Sequence, residues 1–168
     1  MTLPPFDQVV CEHGPALLRL CYALCGPQEA EDVWSETFLA ALAAYPTLES
    51  AANLRAWLAT IARRKSIDRH RSAQRQPIPV ASLAEAAAVD GHFCEQHDHR
   101  SSLERSGALR LALDALSERQ RAAILYHYLI DLPYADVARL IGSSEGAARR
   151  AAADGIAALR RRLAEVPG

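Results

Sequence analysis

The 168-residue sequence is poor in aromatic residues, which make up 6% of it, and it has one methionine, eight glycines and four cysteines. None of its apolar runs reaches the roughly 20 residues that a membrane-spanning helix needs. The N-terminal MTLPPFDQVV has neither the basic region nor the apolar core of a signal peptide. We therefore expect a cytoplasmic protein without membrane insertion.

The sequence also lacks the motifs that carry much of enzyme chemistry. It has no glycine-rich loop that would cradle a nucleotide and no Gly-x-Ser-x-Gly nucleophile elbow. No carboxylate and histidine are spaced so that a helical pattern would bring both into one cleft. We expect neither an enzyme nor a bound cofactor.

Charge is balanced overall but unevenly distributed along the chain. The formal net charge is -1, from 19 Lys and Arg against 20 Asp and Glu. Six cations lie close together between positions 63 and 75, and only Asp68 opposes them: Arg63, Arg64, Lys65, Arg69, Arg71 and Arg75. Positions 160–162 are a second basic cluster, whereas acidic residues collect at 29–36. Two basic patches and one acidic helix indicate binding to nucleic acid and to a protein partner.

Apolar residues spaced three and four apart predict helices over residues 17–24, 29–44 and 53–74. Between residues 76 and 102 this periodicity fails, and prolines, a glycine and small or polar residues predict a flexible linker with a short helix at 83–88. The helical pattern resumes at residue 103. The sequence therefore predicts an all-α fold in which a flexible linker (76–102) joins two small helical domains (1–75 and 103–168).

Residues 131–163 have the spacing of a helix-turn-helix motif. The first helix has apolar or small residues at helical spacing: Tyr134, Val137, Ala138 and Ile141. Gly142 stands where the turn needs left-handed backbone, and Ser143 or Ser144 then caps a second helix. On that helix Arg150 points outward and Arg149 lies at the border, so both are candidates to contact DNA in the major groove. Two amphipathic helices joined by a glycine turn also occur in other helical bundles, which is the alternative interpretation.

The third predicted helix changes character halfway along. Its first half has one apolar face: Leu54, Trp57, Leu58 and Ile61. Continuing that face reaches Lys65 and Asp68, so the second half is free to face a phosphate backbone, and Trp57 is placed to stack on an unpaired base. In the alternative interpretation Trp57 belongs to the core and the arginines are a solvated helix end.

Histidine and cysteine are concentrated in the predicted linker, at His92, Cys94, His97 and His99. Imidazole and thiolate are preferred zinc ligands, but this spacing matches no standard zinc finger. We therefore assign no metal site, and a polar tether that happens to be rich in histidine is the alternative to metal binding. Cys21 and Cys25 are expected to be small buried apolar residues and not a disulfide.

Three segments together resemble the two conserved domains of extracytoplasmic-function sigma factors. They are AEDVWSETFLAAL (30–42), NLRAWLATIARRKSIDRHR (53–71) and LDALSERQRAAILYHYLIDLPYADVARLIGSSEGAARR (113–150). Their order and separation agree with that family, and the resemblance covers nearly the whole chain outside the linker. It implies a dissociable subunit of bacterial RNA polymerase that binds the core enzyme and directs initiation at specific promoters. We expect the free protein to be a monomer.

The resemblance also implies three sets of site residues. The acidic second helix would dock on the clamp coiled coil of the largest polymerase subunit through Asp32, Val33, Ser35, Glu36 and Phe38. Loop 46–53 and the third helix would capture a flipped base of the minus-10 element and melt the duplex through Asn53, Arg55, Trp57, Arg63, Arg64, Lys65 and Arg69. The recognition helix would read the minus-35 element through Ser144, Glu145, Ala147, Arg149, Arg150 and Asp154. An inhibitory anti-sigma protein that covers the DNA-binding faces is a further implied partner.

Two departures from the family pattern bear on these assignments. Ser35 stands where glutamine is usual, and the recognition helix is rich in alanine, which offers only methyl contacts to thymine. Asp154 repels phosphate although it can accept from a cytosine amino group, and Gly155 weakens a helix by about 1 kcal/mol relative to alanine. The alternatives are a sigma-like protein that acts through a partner, a metal- or redox-responsive regulator that uses the linker, and a two-domain helix-turn-helix repressor.

Overall fold

A computed structural model describes residues 3–48, 53–75 and 109–164, with side chains up to residue 72 in the second range. Within these ranges every regular element is helical, which confirms the all-α prediction. The predicted linker and its candidates His92, Cys94, His97 and His99 lie outside the described residues, as do residues 49–52 of the loop before the third helix. The described helices include none that is long and apolar enough to cross a membrane.

The first group of helices contains α1 (Phe6–Cys25), α2 (Ala30–Ala44), a short 3-10 turn (Tyr45–Thr47) and α3 (Leu54–Arg75). The prediction of a first helix at 17–24 was too short, because α1 begins at Phe6 and continues through Pro15. Proline ends many helices, but here its ring is exposed, while Val9, Leu17 and Leu20 on the opposite side of α1 are buried. Proline has no backbone N–H to donate within the helix. Packing of the buried face compensates for this loss, and α1 continues through Pro15.

The second group contains helical residues 109–114, α4 (Glu118–Ile124), a π-helical turn that continues α4 (Leu125–Leu129), α5 (Tyr134–Ile141) and α6 (Glu145–Ala164). A capping box starts α4: the Ser117 side chain accepts from the Gln120 amide, and the Gln120 side chain accepts from the Ser117 amide. Gly142 ends α5 in left-handed conformation (φ 64°, ψ 47°), as predicted. The Oγ of Ser144, and not of Ser143, accepts from an amide of the first turn of α6.

Gly155 has a role in packing that its helix propensity does not reveal. It is buried where α6 crosses α4, and a Cβ atom added to it would lie 2.6 Å from Cδ1 of Ile124 and 3.2 Å from Cβ of Gln120. The absence of a side chain thus allows α4 and α6 to approach closely. The expectation that Gly155 weakens the recognition helix did not include this packing role.

The two groups of helices pack against each other. One buried cluster contains Leu20, Val33 and Leu58 from the first group together with Tyr126 and Ile130 from the second. The π-helical turn of the second group lies against α1. The sequence predicts only two domains joined by a flexible linker. The structure shows in addition that the two groups of helices share one buried core.

Candidate functional site

The acidic residues of α2 lie on its outer face. Asp32 and Ser35 are exposed and Glu36 is half-buried, whereas Val33 and Phe38 point inward and are buried. The Phe38 ring packs edge-on at 4.8 Å from the Trp34 ring and 6.2 Å from the Phe6 ring. Of the five residues assigned to polymerase binding, Val33 and Phe38 therefore orient the helix, and the other three present a surface.

Arg69 connects this acidic face to α3. Its two terminal nitrogens donate to Asp32 Oδ2 at 2.9 Å and to Glu36 Oε1 at 3.0 Å. Asp32 and Glu36 are one helical turn apart, so a single planar guanidinium reaches both carboxylates. Sequence reasoning assigned Arg69 to the minus-10 DNA. In this structure its guanidinium forms ion pairs with two carboxylates of the first group of helices.

Two exposed leucines extend the outer face of α2. Leu39 is 68% exposed and Leu42 is 51% exposed, and they follow Ser35 at spacings of four and seven. Sequence reasoning missed them, although helical spacing from Asp32 and Ser35 would have placed them on the same face. The result is a mixed surface in which carboxylates lie beside apolar side chains, as is usual where proteins bind each other.

The start of α3 is held by Asn53. Its Oδ1 accepts from the Ala56 amide at 3.1 Å and so caps the helix, while its Nδ2 donates to Asp136 of α5. Arg55 donates to the carbonyl of Ile130 at 3.3 Å and lies 3.8 Å from the Asp131 carboxylate. Both minus-10 candidates thus contact the second group of helices.

Further along α3, Arg63 makes the same kind of contact. It donates to the Leu140 carbonyl at 3.2 Å, and its other terminal nitrogen lies 3.9 Å from Glu118. A cleft of about 350 Å³ between α3 and α5 is lined by Trp57, Thr60, Arg63, Arg64, Asp136 and Arg139, among others. Trp57 is half-buried and packs against the core, Arg64 is exposed, and Lys65 is half-buried. Arg55 and Arg63 therefore lie against the second group of helices, whereas Asp68 and Arg71 in the second half of α3, which was expected to face DNA, are exposed.

The outward face of α6 remains exposed. Arg149, Arg150 and Asp154 all reach solvent. Arg149 donates to Glu145 at 2.9 Å and its guanidinium lies 5.2 Å from the centre of the Tyr134 ring, which orients it at the start of the helix. Ala147 is half-buried, and Ser144 acts as the cap.

An aromatic cluster beside Arg149 was not predicted. The His127 ring stacks on Tyr134 at 3.9 Å, and its Nδ1 lies 2.8 Å from the Leu132 carbonyl. Tyr128, 56% exposed, packs edge-on to His127 at 4.7 Å. The residues come from the π-helical turn and the start of α5, so only the fold shows that they meet.

Shifted pKa values occur among buried groups of the core and also at Tyr134 beside Arg149, where burial and the contact with Tyr128 raise the pKa. Burial lowers the pKa of His13, opposed by Glu12 and reinforced by Arg55. Burial also raises the pKa of Cys21 to about 12 and that of Cys25 to about 11. Both cysteines are free thiols, and Cys25 donates to the Cys21 carbonyl. The described residues include no group of three or more side chains placed to hold a metal ion.

Comparison with known proteins shows two family matches in chain order. Residues 9–76 match Sigma-70 region 2, and residues 106–159 match Sigma-70, region 4. The ECF RNA polymerase sigma factor SigF of Caulobacter vibrioides is 33% identical over 143 residues, which cover 84% of this chain and 75% of SigF. The ECF RNA polymerase sigma factor BldN of Streptomyces coelicolor is 31% identical over 84% of this chain. The chain spans about half of the length of BldN, 54%. Among solved structures, the sigma factor RpoE of Bartonella quintana, crystallised with the anti-sigma factor NepR, is 25% identical with a TM-score of 0.70, over 96% of this chain and 98% of RpoE.

Proposed function

Because this chain belongs to the extracytoplasmic-function sigma factors, we propose that it binds core RNA polymerase and directs initiation at specific promoters. The observation that carries the proposal is the match to both sigma-70 regions, in order, by a chain whose described helices form two groups. Members of this family are not themselves enzymes. The protein would act in the cytoplasm, where polymerase and chromosome meet.

The outer face of α2 is the proposed polymerase-binding surface. Asp32, Ser35 and Glu36 present the charge, and Leu39 and Leu42 add apolar area beside it. A basic partner surface would compete with Arg69 for the two carboxylates, and carboxylates at the rim of an interface steer the encounter. This arrangement suits docking on a coiled coil with exposed cations.

The proposed minus-10 site is the face of α3 that begins at Asn53. Arg63 and Arg64 supply positive charge for phosphates, and Trp57 supplies an aromatic ring at the cleft for an unpaired base. Their placement along one helix, Trp57 about two turns before Arg64, supports capture of a single strand. In the structure Asn53, Arg55 and Arg63 on this face contact the second group of helices, whereas Arg64 is exposed.

The proposed minus-35 reader is the N-terminal half of α6. Arg149 and Arg150 are exposed there, and arginine pairs with guanine through two hydrogen bonds in the major groove. The small side chains around them permit a close approach of the helix to the bases. Asp154 lies one turn further along, where it can accept from a cytosine amino group.

We also propose an inhibitory anti-sigma protein as a partner. The support is the likeness to RpoE, which was crystallised in complex with the anti-sigma factor NepR. Such a partner would bind a chain whose two groups of helices are already in contact.

Run-off transcription on genomic fragments tests the proposed function. Core polymerase is assayed with and without the protein, and with the double variant Asp32→Arg, Glu36→Arg, which reverses the charge of the docking surface. New start sites that appear with the wild type and disappear with the variant are the expected result. Circular dichroism shows whether the variant is folded.

The matched control is Asp7→Arg, Glu12→Arg, which makes the same change of charge at exposed positions of α1, outside the docking surface. It should keep its start sites. Tight DNA binding without polymerase, combined with no new start sites in its presence, would contradict a sigma factor and support the helix-turn-helix repressor.

A further inference from the structure

Two neighbouring arginines lie on the exposed face at the start of α6, and their surroundings differ. The Arg149 guanidinium lies over the Tyr134 ring, 5.2 Å from its centre, and donates to Glu145 Oε1 at 2.9 Å. The Arg150 side chain forms no hydrogen bond, ion pair or ring contact within the described residues. The helix therefore presents one arginine that is held in place and one that can move.

The ring that holds Arg149 is itself fixed by a second ring. The His127 ring stacks on Tyr134 at 3.9 Å, with an angle of 22° between the two planes. His127 is fixed in turn, because its Nδ1 lies 2.8 Å from the Leu132 carbonyl oxygen, which orients the imidazole plane. Both rings are half-buried. A series of contacts thus runs from the π-helical turn through the start of α5 to Arg149 on α6.

The two contacts of Arg149 leave most of its hydrogen-bond donors available. A guanidinium has five N–H groups. The contact with an aromatic ring uses the charge and not an N–H group, and the bond to Glu145 is the one hydrogen bond that its side chain forms within the described residues. Guanine is recognised in the major groove by two N–H groups that donate to its O6 and N7. Arg149 can therefore keep its ring contact and still present a pair of donors to a base edge.

The difference in support between the two arginines bears on what each can recognise. Immobilising a long side chain on binding costs conformational entropy, and a guanidinium that is already held loses less of it. It also approaches a base edge from a defined direction, which bidentate pairing requires. Phosphate contacts fix the position of a protein on DNA but carry no sequence information, so a mobile arginine can serve them.

We propose that Tyr134, held by His127, is a positioning residue that fixes Arg149 for guanine recognition, and that Arg150 contacts the phosphate backbone. This inference rests on the proposed function, because it takes α6 to be the minus-35 reader. It assigns discrimination at one base pair to Arg149 and sequence-independent affinity to Arg150. Tyr134 itself acts only through Arg149.

The test is run-off transcription with core polymerase and the full chain on templates whose minus-35 element is randomised one base pair at a time. Each template carries a barcode in its transcribed region, so sequencing the transcripts gives the preference for guanine at every position. Arg149→Ala should reduce that preference at one position by about fivefold or more, which corresponds to one bidentate contact. Arg150→Ala is the matched control. It should lower transcription on all templates alike and preserve the preference, because it removes a phosphate contact.

The positioning role is tested at Tyr134. Tyr134→Leu should reduce the same guanine preference about two- to fivefold, the size of an exposed cation–π contact. Tyr134→Phe keeps a ring and should preserve the preference. The double variant Tyr134→Leu, Arg149→Ala should lose no more preference than Arg149→Ala alone, because the two residues act as one unit.

A second variant guards against misfolding of Tyr134→Leu. His127→Ala removes the ring that stacks on Tyr134 and leaves Tyr134 in place, so it should reduce the preference in the same direction. Circular dichroism shows whether each variant is folded.

The outcomes separate this inference from the proposed function. If the wild type initiates transcription but Tyr134→Leu and His127→Ala keep its full guanine preference, the positioning role is wrong and the sigma function stands. A variant that loses transcription on all templates alike would show that the rings only stabilise the fold. A base preference that disappears in Arg150→Ala, or a wild type with no guanine preference, would overturn the assignment of the two arginines.

If the wild type yields no start site with polymerase, the sigma function fails. Selection of bound duplexes from a random pool by the full chain alone then measures the same preference in the wild type and in each variant. A guanine preference that is lost in Arg149→Ala and reduced in Tyr134→Leu would still support the positioning role in that case. Equal preferences in all of these proteins would contradict it.

Discussion

At the scale of single residues, small changes in volume or charge decide how elements meet. Gly155 allows α6 to cross closely over α4. The Nδ1 of His13 is buried without a hydrogen-bond partner. Asn53 caps α3 and also donates to Asp136. None of these roles follows from residue type, since glycine, histidine and asparagine are common on helix surfaces and at helix ends. Each role depends on a neighbour that is distant in sequence or on burial.

Gly155→Ala should destabilise the protein. Alanine raises helix propensity by about 1 kcal/mol, but its Cβ would come 2.6 Å from Ile124 Cδ1, and overpacking of this kind costs about 1–3 kcal/mol. We expect a net loss in the free energy of unfolding in urea. Gly146→Ala is the control, because nothing lies within 4 Å of its added Cβ, and it should be neutral or stabilising. Adding Ile124→Val, which removes the clashing methyl group, should restore part of the loss.

His13 predicts a loss of stability in mild acid. Burial lowers its pKa in the folded protein below the usual 6.5, with Glu12 opposing and Arg55 adding to the shift. The unfolded chain therefore binds a proton first as the pH falls, so stability is full above about 6.5 and declines below it. Urea unfolding at pH 7.5 and 5.5 should show the decline, and His13→Gln should reduce it. If the exposed-site variant His70→Gln reduces the decline equally, His13 is not the cause.

At the scale of elements, the ion pairs of Arg69 link α2 to α3. Such pairs at a partly exposed surface contribute about 0–1 kcal/mol, because solvent screens them. The larger consequence is electrostatic, since Arg69 lowers the negative potential around Asp32 and Glu36. When a basic partner docks, its cation must therefore replace Arg69 at the carboxylates of Asp32 and Glu36.

Arg69→Ala should therefore have different effects on stability and on binding. The free energy of unfolding should fall by no more than about 1 kcal/mol, while affinity for core polymerase should increase, because the two carboxylates of α2 lose their internal partner. Polymerase binding is measured by anisotropy of labelled protein. Arg71→Ala, at an exposed position two residues along, is the control and should leave affinity unchanged. A loss of affinity in Arg69→Ala would show that the arginine itself contacts polymerase.

At the scale of the whole molecule, one core connects the two groups of helices. Cys21 from α1 and Tyr126 from the π-helical turn belong to the same buried cluster, although they are far apart in the chain. A change that destabilises this core is therefore expected to destabilise both groups of helices.

Alkaline pH should reveal this shared core. Burial raises the pKa of Cys21 to about 12, of Cys25 to about 11 and of Tyr126 to about 12, against usual values of 9.0 for the thiols and 10.0 for tyrosine. The folded protein thus holds protons that the unfolded chain releases, so stability falls as the pH rises above about 9. Urea unfolding at pH 7.5, 10 and 11 measures the decline. Tyr126→Phe should reduce the decline between pH 10 and 11, and an unchanged decline would show that the thiols dominate.

Part of this architecture follows from local pattern. The bounds of α2 and α3 to within one residue, the extent of α5, the left-handed Gly142 and the outward direction of Arg150 were predicted, because helical periodicity and capping depend on residues within a few positions. The start of α1 was missed, since Pro15 is a helix breaker by local rules and is tolerated here only through the packing of the opposite face. The inward direction of Val33 and Phe38 was also missed at the candidate site.

By itself, the sequence determined the helical fold, the helix-turn-helix and the family, because these rest on short-range periodicity and on motifs whose order along the chain is readable. Only the tertiary structure decided what the functional side chains contact. Arg55 and Arg63 reach carbonyls at the ends of elements more than seventy residues away, and Arg69 binds carboxylates on another helix. The physical reason is that a long cationic side chain has no preferred partner in its own sequence. Its partner is whichever anionic oxygen the packing of distant helices brings within reach.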